Sequence, residues 1–270
     1  MRLPFTKMHG SGNDFVLIDN RIHRLSLASP QITKICDRHY GVGADGLLLV
    51  EPPQNGGDFR MRYYNSDGQE AAMCGNGARC FARYVQRISK SKQRTFVFET
   101  PAGLIRSVLL GQNIEIQMSE PSNCRPPAFL QVSGVIEEIH FLSIGVPHAA
   151  VFVEALEEVD VNRRGRGIRF HESFSPLGTN VNFVQVITTN HLRVRTYERG
   201  VEAETLACGT GVAASALIHH IRTATPSPIR VTVRGGDTLQ VAFKLSSDLP
   251  RDVCIRGPAS FVFDGEMEIF

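Results

Sequence analysis

The feature that most constrains this 270-residue sequence is an internal repeat with one cysteine at the same point in each half. The segment Met73–Gly77 reads MCGNG, and the segment Ala207–Gly211 reads ACGTG. The two cysteines, Cys74 and Cys208, are 208 − 74 = 134 residues apart, which is about half of the chain. We therefore expect two halves with one fold, which can place two thiols on opposite sides of a single ligand. Two further pairs of segments match in the same order, namely 59–65 with 192–198 and 97–103 with 231–237.

The composition is that of an ordinary globular protein and narrows the range of ligands. Hydrophobic residues make up 42% of the sequence, and the formal net charge of +2 is too small to favour binding to nucleic acid or to a membrane surface. The first residues, MRLPF, lack the apolar core of a secretory signal, and the longest apolar runs are only as long as a strand. We therefore expect a cytoplasmic protein with free thiols and no metal site, since the six cysteines form no CxxC pair.

Short strand-like segments dominate both halves, and each half has one apolar helix. The strand segments are β-branched or aromatic and are bounded by Gly, Pro, Asn or Asp. The helices are predicted to follow Cys74 and Cys208, and the second is apolar nearly all round, which indicates a helix enclosed by sheet. The predicted strands are 15–19, 47–51, 59–64, 96–99 and 114–118 in the first half and 149–154, 182–187, 192–197, 229–233 and 239–243 in the second.

A polar, proline-containing stretch, 119–127, is the predicted boundary between the halves. It divides the chain into a first half, 1–118, that carries Cys74 and a second half, 119–258, that carries Cys208. The last residues, 259–270, have no counterpart in the first half. We expect them to return and pair with the first domain.

In both copies the cysteine is followed by Gly-x-Gly and then by the apolar helix. Glycine lets backbone N–H groups approach a ligand closely, and the start of a helix attracts anions. The same helix dipole favours the thiolate form of a cysteine placed there. Each motif thus offers a candidate base beside a site large enough for a carboxylate. Inversion of a stereocentre requires a base on one face of the carbon and an acid on the other. The alternative is a non-catalytic thiol protein in which the two cysteines are matched packing positions.

The segment Gly41–Gly46 (GVGADG) matches the dinucleotide fingerprint G-x-G-x-x-G and gives an alternative from another class, a dinucleotide-binding protein. That fingerprint has meaning only after a strand and before a helix. Here a helix-like segment, 35–40, comes before it and a predicted strand, 47–50, comes after it. The reversed order favours a glycine-rich turn.

The repeat breaks at one point in a way that favours recognition of an amino acid. At the end of one matched strand the first half has Asn65, whereas the second half has Glu198 and Arg199. An adjacent acid and base can bind both charges of an amino-acid head group, although an exposed ion pair is the more ordinary interpretation. Asn13 follows a predicted turn and is a candidate ligand contact, and a histidine such as His148 can tune the pKa of a nearby thiol.

Together these segments resemble the diaminopimelate epimerase family. The resemblance covers essentially the whole chain, and it implies a cofactor-free enzyme that converts LL-2,6-diaminopimelate to the meso form in lysine and peptidoglycan precursor biosynthesis. It also implies an α/β (α+β) fold of two pseudo-symmetric domains, each a barrel-like, mainly antiparallel sheet around a central helix, with the active site in the cleft between them. The segments that carry the resemblance are 9–15 (HGSGNDF), 65–79 (NSDGQEAAMCGNGAR), 197–200 (YERG) and 207–211 (ACGTG).

The resemblance also implies a role for each candidate residue. Cys74 and Cys208 would be the two acid–base residues, and His148 and Glu198 would tune the thiols. No cofactor and no metal are expected, the small-molecule partner is diaminopimelate, and a homodimer is the usual form of the family. The expected substrate-binding residues are Asn13, Asn65, Gly75, Asn76, Asn180, Glu198, Arg199, Gly209 and Thr210.

Two departures from the family and one rival enzyme class are also visible. Val146 stands where many members have Asn, and Gly46 stands where some have a substrate-contacting Gln. A proline or hydroxyproline racemase shares the paired thiols but typically has His at the position of Asn76. The Glu198–Arg199 pair favours a substrate with a second amino-acid head group.

Overall fold

The structure is a computed structural model, and it describes residues 2–132, 134–246 and 249–268. The chain divides into two compact units. The first unit contains the residues up to Ile116 together with the segment from Gly257 onward, and the second contains Gln117–Arg256. Each unit contains one long buried helix, which begins directly after a cysteine of the repeat.

The first unit is mainly sheet, with one long helix and two shorter ones. Its helices are α1 (Asn20–His23), α2 (Ser29–Cys36) and α3 (Gly75–Ser89). Its strands, numbered along the whole chain, are β1 (Arg2–Gly10), β2 (Asn13–Asp19), β3 (Gly46–Glu51), β4 (Phe59–Asn65), β5 (Glu70–Ala71), β6 (Thr95–Thr100), β7 (Gly103–Leu110), β8 (Asn113–Gln117) and β18 (Ser260–Glu268).

Antiparallel pairs dominate the sheet of the first unit. β1 pairs antiparallel with both β2 and β18, and the pairs β3–β4, β4–β5, β6–β7 and β7–β8 are also antiparallel. Two pairs, β2–β3 and β4–β6, are parallel. Because parallel neighbours need a crossover connection, the helices α2 and α3 lie in these two connections.

The two faces of β2 are buried against different helices. Val16 and Ile18 share a core cluster with Ile32 of α2. Side chains alternate along a strand, so Asn13 lies on the opposite face, where α3 packs against β1, β2, β3 and β7. Every residue of α3 from Gly75 to Ala82 is buried, because the strands enclose the start of this helix.

The second unit is also mainly sheet. Its helices are α4 (Val161–Arg169) and α5 (Gly209–Thr223), with short 3₁₀ helices at Leu156–Glu158 and Glu172–Phe174. Its strands are β9 (Pro121–Val132), β10 (Val135–Ile144), β11 (Val146–Phe152), β12 (Asn180–Thr188), β13 (His191–Glu198), β14 (Ala203–Thr205), β15 (Ile229–Val233), β16 (Thr238–Ser246) and β17 (Leu249–Pro258).

The second unit repeats the order and direction of strand pairing in the first. The parallel pairs are β11–β12 and β13–β15, and the other pairs are antiparallel. β9 pairs with β10 as β18 pairs with β1. The helix α5 packs against β10, β11, β12, β13, β15 and β16, so the sheet curves around it. On the other face of the sheet, Val151 and Phe183 pack with Ile168 of α4.

The predicted strands and both predicted helices are present in the structure. All ten predicted strand segments overlap observed strands, and α3 and α5 begin directly after Cys74 and Cys208. The stretch 119–127, predicted as a boundary, includes the first residues of β9, whose side chains are mostly exposed. Its three prolines, Pro121, Pro126 and Pro127, are compatible with a strand only where the ladder does not need their missing N–H groups.

A single carboxylate of β6 holds the loop that precedes β4. Glu99 is buried and accepts hydrogen bonds from the backbone N–H groups of Gln54, Asn55 and Gly57. Burial alone would raise the pKa of Glu99, but these backbone donors stabilise the ionised form and lower the pKa below its usual 4.5. The loop is therefore tied to the sheet by an interaction that depends on pH.

We expect Glu99→Gln to destabilise the protein at neutral pH, because a neutral amide replaces a carboxylate that accepts three N–H groups. The pKa of Glu99 is lower in the folded state than in the unfolded state. Its contribution to the free energy of unfolding is therefore complete above the ordinary pKa of 4.5 and is lost as the pH falls through the pKa of the folded state. The urea midpoints of wild type and variant should differ at neutral pH and converge in acid. The exposed Glu158→Gln is the control, and a constant difference at all pH values would contradict this role.

Candidate functional site

Each long helix begins at a cysteine of the repeat. Cys74 is the N-cap residue of α3, with extended backbone at φ −138° and ψ 122°, and Cys208 is the N-cap residue of α5, at φ −113° and ψ 109°. The first N–H groups of a helix have no partner within it, so they favour an anion or a thiolate nearby. Gly75–Asn76 and Gly209–Thr210 supply these groups.

In the first unit, two asparagines lie beside the Cys74 sulfur. The Sγ atom is 3.7 Å from Oδ1 of Asn13 and 3.5 Å from the backbone nitrogen of Gly77. Nδ2 of Asn76 donates to the same Asn13 oxygen over 3.2 Å. The thiol therefore contacts a helix N–H group and an amide oxygen at once.

Charged residues hold Asn13 on its other side. Its Nδ2 donates to Oδ2 of Asp45 over 2.8 Å, and Arg38 binds both Asp45 and Asp14. Lys7 forms a 2.8 Å ion pair with Asp14. Burial alone would raise the pKa of Asp14, but the hydrogen bonds from Arg38 and Lys7 lower it to about 2. The Asp14 carboxylate therefore stays ionised throughout the physiological pH range.

Asn65 lies at the end of β4, where β3 and β4 approach closely. Its Oδ1 accepts a 2.6 Å hydrogen bond from the hydroxyl of Tyr63, and its backbone pairs with Gly46. A Cβ atom at Gly46 would lie 2.6 Å from the carbonyl oxygen of Tyr64. The glutamine that some family members have at this position does not fit here without a shift of β3 against β4.

In the second unit, the start of α5 packs directly on β12. Cys208 is buried, and its Sγ lies 3.5 Å from Oγ1 of Thr210, a hydroxyl that can donate to a thiolate or accept from a thiol. A Cβ atom at Gly211 would collide with the amide oxygen of Asn182. Glycine at this position therefore permits the close approach of helix and strand.

His148 is a fully buried, neutral residue of β11. Val151 faces α4, so the alternation of side chains turns His148 towards α5, the helix that begins at Cys208. Its Nδ1 accepts from Nδ2 of Asn182 over 3.2 Å, which places the proton on Nε2, an atom without a hydrogen-bond partner among the described residues. Burial, with a smaller effect from Arg199, lowers the pKa of His148 to about 3.

Asn180 and Glu198 are held by other groups of the second unit. Nδ2 of Asn180 donates to the carbonyl oxygen of Pro147 over 3.0 Å, and its Oδ1 accepts from the backbone N–H of Arg199 over 2.9 Å. Glu198, the last residue of β13, accepts from the hydroxyl of Thr205 over 2.9 Å. Asn180 thus fixes the turn that carries Arg199.

Arg199 is a half-buried cation without a carboxylate partner. Its Nη1 donates to the carbonyl oxygen of Leu177 over 3.4 Å, an oxygen that also accepts from Arg169. Glu202 pairs with Arg169 at 3.1 Å. In the parts of the chain that the structure describes, no carboxylate oxygen lies within 4.0 Å of the Arg199 guanidinium. Burial and then Arg169 lower the pKa of Arg199, so an added anion would be favoured at this point.

The structure brings Asn13 and Asn76 to Cys74 and places Asn65 at the end of β4. The predicted residues of the second unit lie near the starts of β12 and α5 and the end of β13. Several contributing residues are not evident from the sequence. Asp45 lies inside the glycine-rich motif interpreted as a turn, and Asn182 is two residues beyond Asn180 on the same face of β12. The partners that the sequence does not reveal are Arg38, Asp45, Arg79, Arg169, Asn182 and Glu202.

Two other kinds of site have little support in the structure. Gly41–Gly46 lies between α2 and β3, so a helix precedes it and a strand follows it, which is the reverse of the order in a dinucleotide fingerprint. Within residues 2–132, 134–246 and 249–268, no group of three or more His, Cys, Asp or Glu side chains is placed to hold a metal ion. No helix in the same ranges is long and apolar enough to cross a membrane.

Comparison with known sequences identifies one family. The family model described as diaminopimelate epimerase matches residues 5–123 and 140–260. The chain belongs to the diaminopimelate epimerase family. The diaminopimelate epimerase of Aquifex aeolicus is 43% identical over 281 residues, which cover 98% of this chain and 98% of the relative. The diaminopimelate epimerase of Archaeoglobus fulgidus is 43% identical over 286 residues, which cover 100% of this chain and 98% of the relative.

Solved structures share the fold of this diaminopimelate epimerase family member. A phenazine biosynthesis protein of the PhzF family from Bacillus anthracis matches with a TM-score of 0.77 and 16% identity, over 100% of both chains. A probable proline racemase from Agrobacterium radiobacter K84 matches with a TM-score of 0.76 and 13% identity, over 99% of this chain and 93% of that one. At such identities the likeness shows the fold alone, which is mixed α and β, mainly sheet, in two repeated halves.

The neutral state of His148 gives a pH dependence of stability that can be measured. Its folded-state pKa of about 3 lies below the ordinary 6.5, so between these values the unfolded chain binds the extra proton. We expect stability to fall as the pH drops below about 6.5, with a slope from this residue of up to roughly 1.4 kcal/mol per pH unit. Urea unfolding from neutral pH to pH 4.5 measures the slope. The glutamine side chain of the variant His148→Gln cannot ionise, so the variant should lose the contribution of His148 to the slope of stability against pH. A variant with the wild-type slope would show that other groups cause the effect.

Proposed function

We propose that this protein is a diaminopimelate epimerase, which inverts one α-carbon of LL-2,6-diaminopimelate to give the meso form. The observation that carries the proposal is a cysteine at the N-cap of each of two repeated, buried helices, in a chain of this family. Inversion requires a proton to leave one face of the α-carbon and another to arrive on the opposite face. Two thiols supply both roles without a cofactor.

Cys74 and Cys208 are the proposed acid–base pair. One begins the reaction as the thiolate and removes the α-proton, and the other begins as the thiol and donates a proton. The assignment is exchanged for the reverse direction. Because the α-proton of an amino acid is weakly acidic, the developing negative charge needs fixed donors. The N–H groups of Gly75–Asn76 and Gly209–Thr210, at the starts of the two helices, are the proposed donors.

The second amino-acid head group of diaminopimelate is the proposed ligand of Arg199. This guanidinium is half-buried, and among the described residues no carboxylate forms an ion pair with it, although the charge of Glu202 acts on it from further away, so a substrate carboxylate would supply a direct partner. Glu198 is the proposed partner of the ammonium group, and with His148 it is proposed to tune the thiols. Asn13, Asn65 and Asn180 are the proposed amide contacts of the substrate.

The experiment that tests this function is incubation of the reduced, folded protein with LL-diaminopimelate in D₂O, without added cofactor, with the α-proton followed by NMR. Exchange of this proton together with formation of the meso isomer is the expected result. Absence of exchange would refute the assignment. Exchange of the α-proton of proline or hydroxyproline in its place would identify the racemase class.

Replacement of either proposed acid–base residue should stop inversion and leave the fold intact. Because general acid–base catalysis contributes roughly 10²- to 10⁴-fold, we expect Cys74→Ala and Cys208→Ala each to lower kcat at least to that extent. Circular dichroism and Tm measure the fold, and polarimetry or the NMR assay measures inversion. The exposed Cys124→Ala is the matched control, with wild-type activity expected. Full turnover by Cys74→Ala would end the two-base model.

Arg199→Met should weaken substrate binding more than it slows chemistry. Loss of a charge-assisted pair between Arg199 and a carboxylate is expected to raise KM by roughly 10- to 100-fold, with a smaller change in kcat. Arg163→Met, which removes an exposed arginine of α4, is the control. A KM unchanged by Arg199→Met would show that Arg199 does not bind the second head group.

Three further properties accompany this proposal. We propose that the two units correspond to the predicted halves, 1–118 joined by 259–270 and 119–258, a division that the pairing of β18 with β1 supports. A role in lysine and peptidoglycan precursor biosynthesis supports a cytoplasmic location. A homodimer is proposed from the family, and light scattering of the purified protein measures it directly.

A further inference from the structure

The amide groups around Cys74 lie between two ions of opposite charge. At one end, Arg79 is completely buried, and its Nη2 donates to Oδ1 of Asn76 over 2.9 Å. At the other end, Oδ2 of Asp45 accepts from Nδ2 of Asn13 over 2.8 Å. In the middle, Nδ2 of Asn76 donates to Oδ1 of Asn13 over 3.2 Å. The four side chains form one continuous chain of hydrogen bonds.

The two ions determine which way both amides point. A guanidinium only donates hydrogen bonds, and an ionised carboxylate only accepts them. Asn76 must therefore turn its oxygen to Arg79 and its nitrogen to Asn13. Asn13 must turn its oxygen to Asn76 and its nitrogen to Asp45. Neither amide can rotate by half a turn without placing two donors or two acceptors against each other.

This fixed orientation places a hydrogen-bond acceptor against the Cys74 sulfur. The Asn13 oxygen lies 3.7 Å from Sγ, within reach of a thiol hydrogen bond. A neutral thiol can donate to this oxygen, whereas a thiolate would face its lone pairs. The contact therefore stabilises the protonated form of Cys74 and opposes the effect of the helix start.

The second unit has none of these four residues at the equivalent positions. In the parallel pair β2–β3, Phe15 lies opposite Gly46, and in the parallel pair β11–β12, His148 lies opposite Asn180. This register gives the correspondence between residues of the two halves. Beside Cys208 lies the hydroxyl of Thr210, which can donate to a thiolate or accept from a thiol and so does not by itself favour either form. The corresponding residues are Val146 for Asn13, Thr179 for Asp45, Thr210 for Asn76 and Ala213 for Arg79.

We propose that Arg79 and Asp45 are positioning residues that keep a hydrogen-bond acceptor against the Cys74 sulfur and so favour the neutral thiol of Cys74. Both act through the amides of Asn76 and Asn13, and neither needs to touch the substrate. Any consequence for turnover rests on the proposed function. The effect on the ionisation of Cys74 does not, because it follows from the hydrogen bonds of the resting structure.

The pH dependence of alkylation tests the effect of the Asn13 oxygen on Cys74. Only the thiolate reacts with iodoacetamide, so peptide mass spectrometry at a series of pH values gives a midpoint for each cysteine. The Cys74 midpoint is compared between wild type and variants, so the exposure of the sulfur is nearly the same in both. One hydrogen bond to the neutral thiol is expected to place the wild-type midpoint roughly half to one pH unit above that of a variant without the acceptor. A wild-type midpoint equal to or below that of such a variant would overturn the proposal.

Two substitutions at Asp45 separate orientation from charge. Asp45→Ala removes the acceptor that holds Asn13, and we expect the Cys74 midpoint to fall by roughly half to one pH unit while that of Cys208 stays constant. Asp45→Asn removes the same charge but keeps one side-chain oxygen. The N–H donors of Asn13 and Asp14 favour the amide orientation in which this oxygen faces them. Its Cys74 midpoint should stay near the wild-type value. Equal shifts in the two variants would show that only charge matters and would overturn the positioning role.

Asn13→Ala provides a second variant that removes the acceptor itself, and its Cys74 midpoint must also fall. An unchanged midpoint in this variant would contradict the proposal. Because alkylation needs no substrate, its outcome is independent of the proposed function. Inactivity of the wild type towards diaminopimelate with the expected midpoints would refute that function alone. Normal wild-type turnover with the same Cys74 midpoint in wild type, Asp45→Ala and Asn13→Ala would refute this inference alone.

Discussion

The start of a buried helix leaves N–H groups that the fold must either satisfy or offer to a ligand. In both units the strands enclose such a start, and the residue at the cap is cysteine, which caps a helix less well than Ser, Thr, Asp or Asn. The Cys74 sulfur reaches the N–H of Gly77 only at 3.5 Å. The same local geometry thus places a sulfur beside a set of donors for an anion. The sheet, the crossovers and the glycines after each cysteine all serve to bring these two features to one place.

A shared framework carries different chemistry in the two halves. Phe15 and His148 occupy equivalent positions of β2 and β11, and both are completely buried. Burial keeps the imidazole ring of His148 neutral, and Asn182 satisfies its Nδ1 atom by donating a hydrogen bond to it. The charged side chains around Asn13 are likewise confined to the first half. A reaction that treats the two faces of a carbon differently is served by a repeat in which only the backbone is symmetric.

The elements that could be predicted are those with a local pattern. The buried run Leu47–Val50 and the apolar helix after Cys208 are recognisable from their own residues. Other elements depend on distant partners, so their own sequences say little. β18 is a strand because it pairs with β1, as Arg2 with Glu268, and β9 contains prolines that favour a loop.

The residues of the site likewise fall into those that the sequence reveals and those that depend on distant partners. Cys74 and Cys208 stand out because the repeat preserves them, whereas the role of Asp45 depends on a contact with Asn13 across 32 residues. Arg169 and Glu202 meet across 33 residues and depend in turn on the packing of α4 against β13 and β14. A single sequence contains these residues but not the strand register that brings them together.

The strand β18 has a consequence for how the chain is made. The residues of β1 leave the ribosome before those of the second unit, yet β1 lacks its partner on one side until Ser260–Glu268 has been synthesised. The second unit has β9 and β10 next to each other in sequence and can close as soon as both have emerged. The half that is translated first is therefore completed last. For most of translation it exposes an unpaired strand edge, which is a template for pairing with other nascent chains and a natural binding site for a ribosome-associated chaperone.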